Sequence, residues 1–230
     1  MSLHCDLCPV RDSAACSALE THEREDLARV GRMRKIRKGE LLFAAGDENT
    51  ACATLVEGAL KVSAVDEDGN ERILALIHPA GFVGELFSPF AHHDVIALAD
   101  SRLCVFGRGD LDAALTRHPK LARALLRRSQ EDLHETRQLI ALTSRRSASE
   151  RVAGLLMGLA DAASHSPCHA AQSFQLPLSR QEIADLLNLT IETVSRSLTR
   201  LEKDGLIRRK GTRGIELLDA SGLAEMAGAA

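Results

Sequence analysis

Three cysteines, Cys5, Cys8 and Cys16, fall within the first sixteen residues of a 230-residue chain. Thiols spaced C-x2-C-x7-C have the chemistry of metal ligands or of a reactive cluster. In a reducing cytoplasm the six cysteines are more often ligands, reactive thiols or small core residues than disulfides, so their even number is no argument for pairing. C-x2-C is also a zinc-knuckle element, and Cys5, Cys8 and Cys16 with His4 or His22 could form a tetrahedral zinc set. A thiol oxidoreductase acting through Cys5 and Cys8 is a further alternative. No βαβ pattern surrounds the pair, so the expectation is a protein that is not an enzyme.

The other chemistry-bearing region lies near the C-terminus, from Leu178 to Leu206. Ala184 is small where two helices must approach, Asn188 stands where the turn needs a left-handed residue, and Val194 returns an apolar side chain to the first helix. That spacing describes a helix-turn-helix. The second helix, starting near Thr190, places Glu192, Ser195 and Arg196 on one side. In a major groove Arg can donate twice to guanine, Glu can accept from cytosine, and Ser can bond several bases. The bland alternative is an i, i+4 ion pair between Glu192 and Arg196. Arg180, Thr190, Thr193, Arg200 and Arg213 are the expected phosphate contacts. Downstream, Leu206-Ile207, Arg208 to Lys210 and Gly214 to Leu217 read as a β-hairpin wing whose cations would neutralise phosphates.

The rest of the chain must position these groups. With 45% hydrophobic content the chain can bury one or two cores, and two domains is the prior. Six Phe and no Trp or Tyr argue against an aromatic platform for single-stranded nucleic acid. A net charge of −3 leaves any DNA affinity to a local patch. That patch is Arg196, Arg200, Lys203, Arg208, Arg209, Lys210 and Arg213. The start lacks a signal peptide and no run of 18 apolar residues occurs, so a cytoplasmic protein without a membrane span is expected.

Leu19 to Val30 reads as a polar helix. Residues 33 to 106 show short apolar runs between turn signals, the pattern of an antiparallel barrel or roll. Gly109 to His118 is a connecting helix. Pro119 opens a longer one, to about Ser144, in which Leu126, Leu133 and Ile140 recur every seven residues while Ser129, Thr136 and Thr143 are polar. Leu126, Leu133, Thr136 and Ile140 therefore form the expected dimer seam, the alternative being a helix packed on its own domain. Two S-x-x-E capping boxes, Ser147 with Glu150 and Ser179 with Glu182, open later helices. Ser164 to Gln175 reads as a polar loop and residues 220 to 230 as a frayed terminal helix.

Gly84-Glu85-Leu86 in the roll, the long helix, Ser149-Glu150-Arg151-Val152-Ala153 and Glu192-Thr193-Val194-Ser195-Arg196 together resemble the CRP/FNR superfamily of transcription regulators. The E-x-x-S-R recognition helix is similar to that of its FNR branch, and the x7 gap to that of FnrN-type and FnrL-type members. The resemblance implies an α+β chain with a cyclic-nucleotide-binding-like β-roll, a long dimerisation helix and a winged helix-turn-helix. Its divisions would be a cysteine segment (1–18), a β-roll (19–118), the helix (119–145) and a DNA-binding domain (146–230).

The resemblance also implies a homodimer acting on double-stranded DNA and RNA polymerase. Its sites would be of the TTGAT-N4-ATCAA kind, with Arg196 on guanine, Glu192 on cytosine and Ser195 on thymine. By the same likeness Cys104 is the fourth ligand, with Cys5, Cys8 and Cys16, of an oxygen-labile 4Fe-4S cluster. Pro9 would remove a backbone N–H beside the second ligand.

Cyclic nucleotide is disfavoured, because Asp94 and Val95 stand where the CRP-like phosphate-binding Arg-Ser pair belongs, although Glu85 matches the ribose contact. Structural zinc, another small effector, or haem on His78 or a Cys are the alternatives. His78, before Pro79, is more often a turn residue. Cys52 is expected in the core and Cys168 at the surface.

Overall fold

The computed structural model describes residues 3, 5–145, 147–164 and 170–228. His4 and Cys168 lie outside the described residues. The chain forms two compact units, residues 1–136 and 137–230.

The first unit starts with two short 3-10 turns, Cys5–Leu7 and Ala15–Ala18, and helix α1, Thr21–Val30. Strands β1 (Gly31–Ile36), β2 (Leu41–Phe43), β3 (Ala51–Glu57), β4 (Leu60–Val65), β5 (Glu71–Ile77), β6 (Phe82–Val83), β7 (Asp94–Ala97) and β8 (Ser101–Gly107) follow. They form two antiparallel sheets, ordered β1-β8-β3-β6 and β2-β7-β4-β5. Leu55, Leu60, Val95, Leu103 and Val105 fill the core of this roll. Gly84 has φ +121°, and a Cβ there would stand 3.0 Å from the Cys52 sulfur, so the turn that carries Glu85 needs glycine.

Two helices follow, α2 (Arg108–Arg117) and α3 (Pro119–Thr143). The first turns of α3 bury Leu121 and Leu125. Helix α1 starts two residues later than Leu19, and Leu19 is buried instead. Its cap is a Glu20–Glu23 capping box, with the Glu20 N–H donating to Glu23 Oε2 at 2.8 Å. A glutamate in the capping position carries no sequence signature comparable to Ser or Thr.

The second unit contains α4 (Ala148–Ala162), β9 (Ser173–Gln175), α5 (Arg180–Leu187), α6 (Ile191–Lys203), β10 (Ile207–Lys210), β11 (Gly214–Leu217) and α7 (Ala220–Met226). Ser147 Oγ accepts from the Glu150 N–H, and Ser179 with Glu182 makes a complete capping box. Two expectations need correction. The loop from Ser164 to Gln175 contains β9, which pairs with β11 and makes the wing a three-stranded sheet, ordered β10-β11-β9. The terminal helix is anchored, because Asp219 caps it and Leu223 and Ala227 are buried. An Ala/Gly-rich sequence hides a helix whose stability comes from packing a single leucine.

Candidate thiol centre and nucleic-acid interface

On β8 the two-residue period sends Leu103 and Val105 into the roll and Cys104 to the opposite face. Met33 of β1 and Thr54 of β3 flank Cys104 in register. The N-terminal segment covers this face. Val10 and Ala14 are buried against Val56 and Ala80, and Cys8, Cys16, Met33 and Cys104 pack on that cluster. One largely apolar cavity of about 60 Å³ results, with Cys5, Cys8, Cys16 and Cys104 all in its wall. The four thiols expected to act together are thus brought together from two distant parts of the chain.

Burial, and after it the neighbouring Cys8 and Cys5, push the Cys16 thiol up to about 11. The Cys104 thiol is raised still more by burial and then by Cys5, Cys16 and Cys8. Cys5 is raised for the same reasons, with Arg24 opposing. In this form Cys5, Cys16 and Cys104 are neutral at pH 7, and only a cationic centre would draw their thiolates out. Among the described residues no three His, Cys, Asp or Glu converge tightly enough for a single metal ion. His22 is exposed on α1 and does not line the cavity. Cys52 is fully buried beneath Gly84, outside the cavity.

Leu121 and Leu125 of α3, spaced i, i+4, also line the thiol cavity. On the same helix Leu126 and Leu133 are exposed (64% and 48%), as is Ile140 (61%). Leu126 and Leu133 are therefore not packed on the roll. The polar members of the seven-residue stripe are locally satisfied: Ser129 Oγ donates to the Leu125 carbonyl (3.1 Å), Thr136 Oγ1 to Asp132 (2.8 Å) and Thr143 Oγ1 to Ile140 (3.0 Å). Hydroxyls bonded in this way can enter an interface without leaving an unpaired donor.

In the roll, the Asp94 carboxylate accepts the Ala45 N–H at 2.8 Å, and Val95 is buried. Glu85 is hydrogen-bonded to the His92 ring and backbone. The groups at the cyclic-nucleotide positions are committed to the protein itself. His78 accepts the Gly81 N–H on its carbonyl, a turn role, and burial pushes its imidazole pKa down against the pull of Glu135.

Residues of the helix-turn-helix fall as the spacing requires. Ala184, Val194, Leu198 and Leu201 are buried, and Asn188 caps α5 with φ 53°, ψ 55°. Thr190 caps α6 by accepting the Thr193 N–H at 3.2 Å, and the two hydroxyls are 2.9 Å apart. Glu192, Ser195 and Arg196 share the exposed side. Glu192 and Arg196 form no ion pair with each other among the described residues.

The phosphate candidates are less free. Arg200 pairs with Asp204 at 3.6 Å, Arg213 donates to the Pro177 carbonyl at 3.4 Å, and Arg180 is half-buried. The wing cations, expected to meet phosphates, already face carboxylates. Arg208 and Lys210 share Glu216, at 3.1 and 3.2 Å, and Arg209 bonds Glu202 through its backbone and guanidinium. One role was missed in the sequence. Arg151 donates to the carbonyls of Arg145 (2.8 Å), Leu187 (3.3 Å) and Asn188 (3.5 Å), fixing the turn between α5 and α6.

Known proteins are similar to this chain in both units. Residues 33–118 match the cyclic nucleotide-binding domain family and 150–226 the Crp-like helix-turn-helix domain family. A probable transcriptional activator of Rhizobium leguminosarum bv. viciae is 38% identical over 96% of this chain and 92% of its own length. The chain belongs to the CRP/FNR family of transcription regulators. Transcriptional activator protein FnrL of Cereibacter sphaeroides and nitrogen fixation regulation protein FixK of Bradyrhizobium diazoefficiens are each 32% identical to this CRP/FNR regulator. FnrL covers 97% of this chain and 92% of its own length, and FixK 98% and 94%. The solved structure of FixK2 from Bradyrhizobium japonicum superposes with TM-score 0.78 at 28% identity, covering 87% of this chain and 99% of that one. This CRP/FNR regulator is accordingly a DNA-binding transcription regulator with the β-roll, long-helix and helix-turn-helix fold. No helix among its described residues is long and apolar enough to cross a membrane.

Proposed function

We propose that this regulator answers to oxygen, with Cys5, Cys8, Cys16 and Cys104 as the ligands of a 4Fe-4S cluster. The observation that carries this reading is the convergence of those four thiols on one apolar cavity. Relatives named for different processes match about equally well, so overall similarity does not choose the signal. Tetrahedral zinc with bonds of about 2.3 Å needs sulfurs about 3.8 Å apart. A cubane gives each cysteine its own iron, which suits thiols that share a cavity without converging on a point. When bound, such a group supplies an oxygen-labile centre.

The protein's own part is mechanical and electrostatic. Cys5, Cys8 and Cys16 tie the N-terminal segment to β8, and Leu121 and Leu125 carry the state of that cavity into α3. An adjoining face of α3 offers Leu126, Leu133, Thr136 and Ile140 to a second copy. Dimerisation would set two recognition helices one DNA turn apart, on half-sites of a TTGAT-N4-ATCAA inverted repeat. Arg196 would read guanine, Glu192 cytosine and Ser195 thymine, with Arg180, Thr190, Thr193, Arg200 and Arg213 towards phosphates and RNA polymerase as the downstream partner. A coupling of about 1 to 3 kcal/mol between cavity and seam is the ordinary allosteric range.

The test is visible absorption with iron and sulfide content of protein prepared without oxygen, followed through one exposure to air. Brown protein with about four irons per chain that bleaches and loses binding to the repeat is the expected result. Colourless protein containing stoichiometric zinc would replace this reading with that of a regulator built on structural zinc.

A further inference from the structure

The wall of the thiol cavity holds two arginines, Arg11 and Arg24, and no aspartate or glutamate among the described residues. The Nε of each is buried and without a hydrogen-bond partner. Arg24 forms no ion pair among the described residues. Arg11 has only Asp12, its exposed neighbour, at 3.9 Å. Arg24 also lines a second, more polar cleft of about 230 Å³ together with Cys5, Leu3, Asp6, Thr21 and Glu25. It lines both hollows, as Cys5 and Leu3 do. Its charge lowers the thiol pKa of both Cys5 and Cys16, against the effect of burial.

An unpaired buried guanidinium donor is costly, commonly by as much as the desolvation of the group. A protein keeps one where an anion completes it. Neutral thiols offer little to such a donor, whereas thiolates held on a cubane offer a great deal. Four thiolates on a dicationic cubane leave a dianion, and two guanidinium charges match it.

We propose that Arg24 and Arg11 are the counter-ions of the cluster held by Cys5, Cys8, Cys16 and Cys104, and that their unpaired Nε–H groups are its hydrogen-bond donors. The proposal rests on the oxygen-sensing reading above. It makes the arginines positioning residues: they do not ligate iron, but they neutralise the thiolates and, in the case of Arg24, screen the cleft beside Cys5. Hydrogen bonds and charge near the sulfurs are among the levers a protein has over such a group.

The two states of the protein then respond to Arg24→Leu with opposite signs. In metal-free protein the substitution removes an unsatisfied donor, so the melting temperature stays or rises, by about 2 °C per kcal/mol or more in a chain of this size. In iron-loaded protein it removes a counter-ion, so the melting temperature falls and bleaching in air accelerates about tenfold, as loss of a supporting contact typically does. Arg24→Lys keeps the charge without Nε and should fall between. Arg11→Leu should repeat the pattern more weakly because Asp12 already offsets its charge.

The experiment is thermal melting of metal-free and anaerobically reconstituted protein, with air-bleaching half-times, for wild type and the three variants. A drop in melting temperature of equal size in both states would make Arg24 a structural residue and overturn the proposal. Unchanged bleaching and melting in reconstituted Arg24→Leu would do the same. If Arg24→Leu does not fold, indistinguishable half-times for Arg24→Lys and wild type overturn it. Wild-type protein that takes up no iron brings down the oxygen-sensing reading itself, visible before any variant is made.

Discussion

The recognition helix and the thiol cavity are finished to different degrees. In the helix-turn-helix, α5 is capped by Ser179 and Glu182 and α6 by Thr190, the turn between them is pinned by Arg151, and the exposed Glu192, Ser195 and Arg196 of α6 lie opposite buried Val194, Leu198 and Leu201. In the thiol cavity, half-buried thiols share a wall with two guanidinium groups whose Nε atoms have no hydrogen-bond partner. A surface that reads a ready-made target gains from rigidity before contact. A pocket awaiting an anionic centre carries the opposite signature, groups whose satisfaction arrives with the ligand. On the reading proposed above, recognition would be pre-formed and the switch would be the incomplete part.

The contrast can be broken most forcefully at Cys104. Cys104→Ser should abolish stable iron retention and anoxic binding to the TTGAT repeat while leaving the fold intact by circular dichroism; retained iron would remove Cys104 from the ligand set. Next in size, Leu198→Ala in the support of the recognition helix should cost about 2 to 5 kcal/mol in unfolding experiments, without altering the iron content. A loss of iron there would mean the two regions are not separate in energy.

Arg196→Ala should weaken binding at the guanine position by about 1 to 3 kcal/mol and leave binding to random DNA almost unchanged. Equal loss on both would reassign Arg196 to phosphate. A smaller effect of opposite sign is expected in the wing. Glu216→Gln releases Arg208 and Lys210, so the salt dependence of DNA binding should steepen by about 1 to 2 units of log–log slope. An unchanged slope would place the wing away from the duplex.

The smallest effect lies in the roll. Burial raises the Glu71 carboxyl pKa, but the hydrogen bond and charge of Lys61, 2.6 Å away, outweigh it and hold the pKa below its ordinary value. A depressed carboxyl contributes stability above its unfolded pKa of about 4.3 and loses it as pH falls through the folded one. Glu71→Gln should therefore flatten the decline of melting temperature below about pH 4. A decline as steep as that of wild type would show that the pair contributes nothing.

Local rules made the second unit legible. Ser147, Ser179 and Asn188 each signal through neighbours within a few residues, and the helix ends fall at or beside them. The β9 strand escaped because three residues in a polar loop have no period to detect. The wing's pairing of Arg208 and Lys210 with Glu216 escaped as well, because it depends on the cross-strand register of β10 and β11.

By itself the sequence determined the recognition helix, its caps, its exposed triad and the seven-residue stripe of α3, because helical geometry converts spacing directly into shared faces. Only the tertiary structure decided that Cys104 shares a cavity wall with Cys5, Cys8 and Cys16, that Leu121 and Leu125 join the same wall, and that the Nε atoms of Arg11 and Arg24 are buried without a hydrogen-bond partner. A strand's period tells which residues share a face but not which distant segment will cover it, and that choice belongs to the packing of the whole roll.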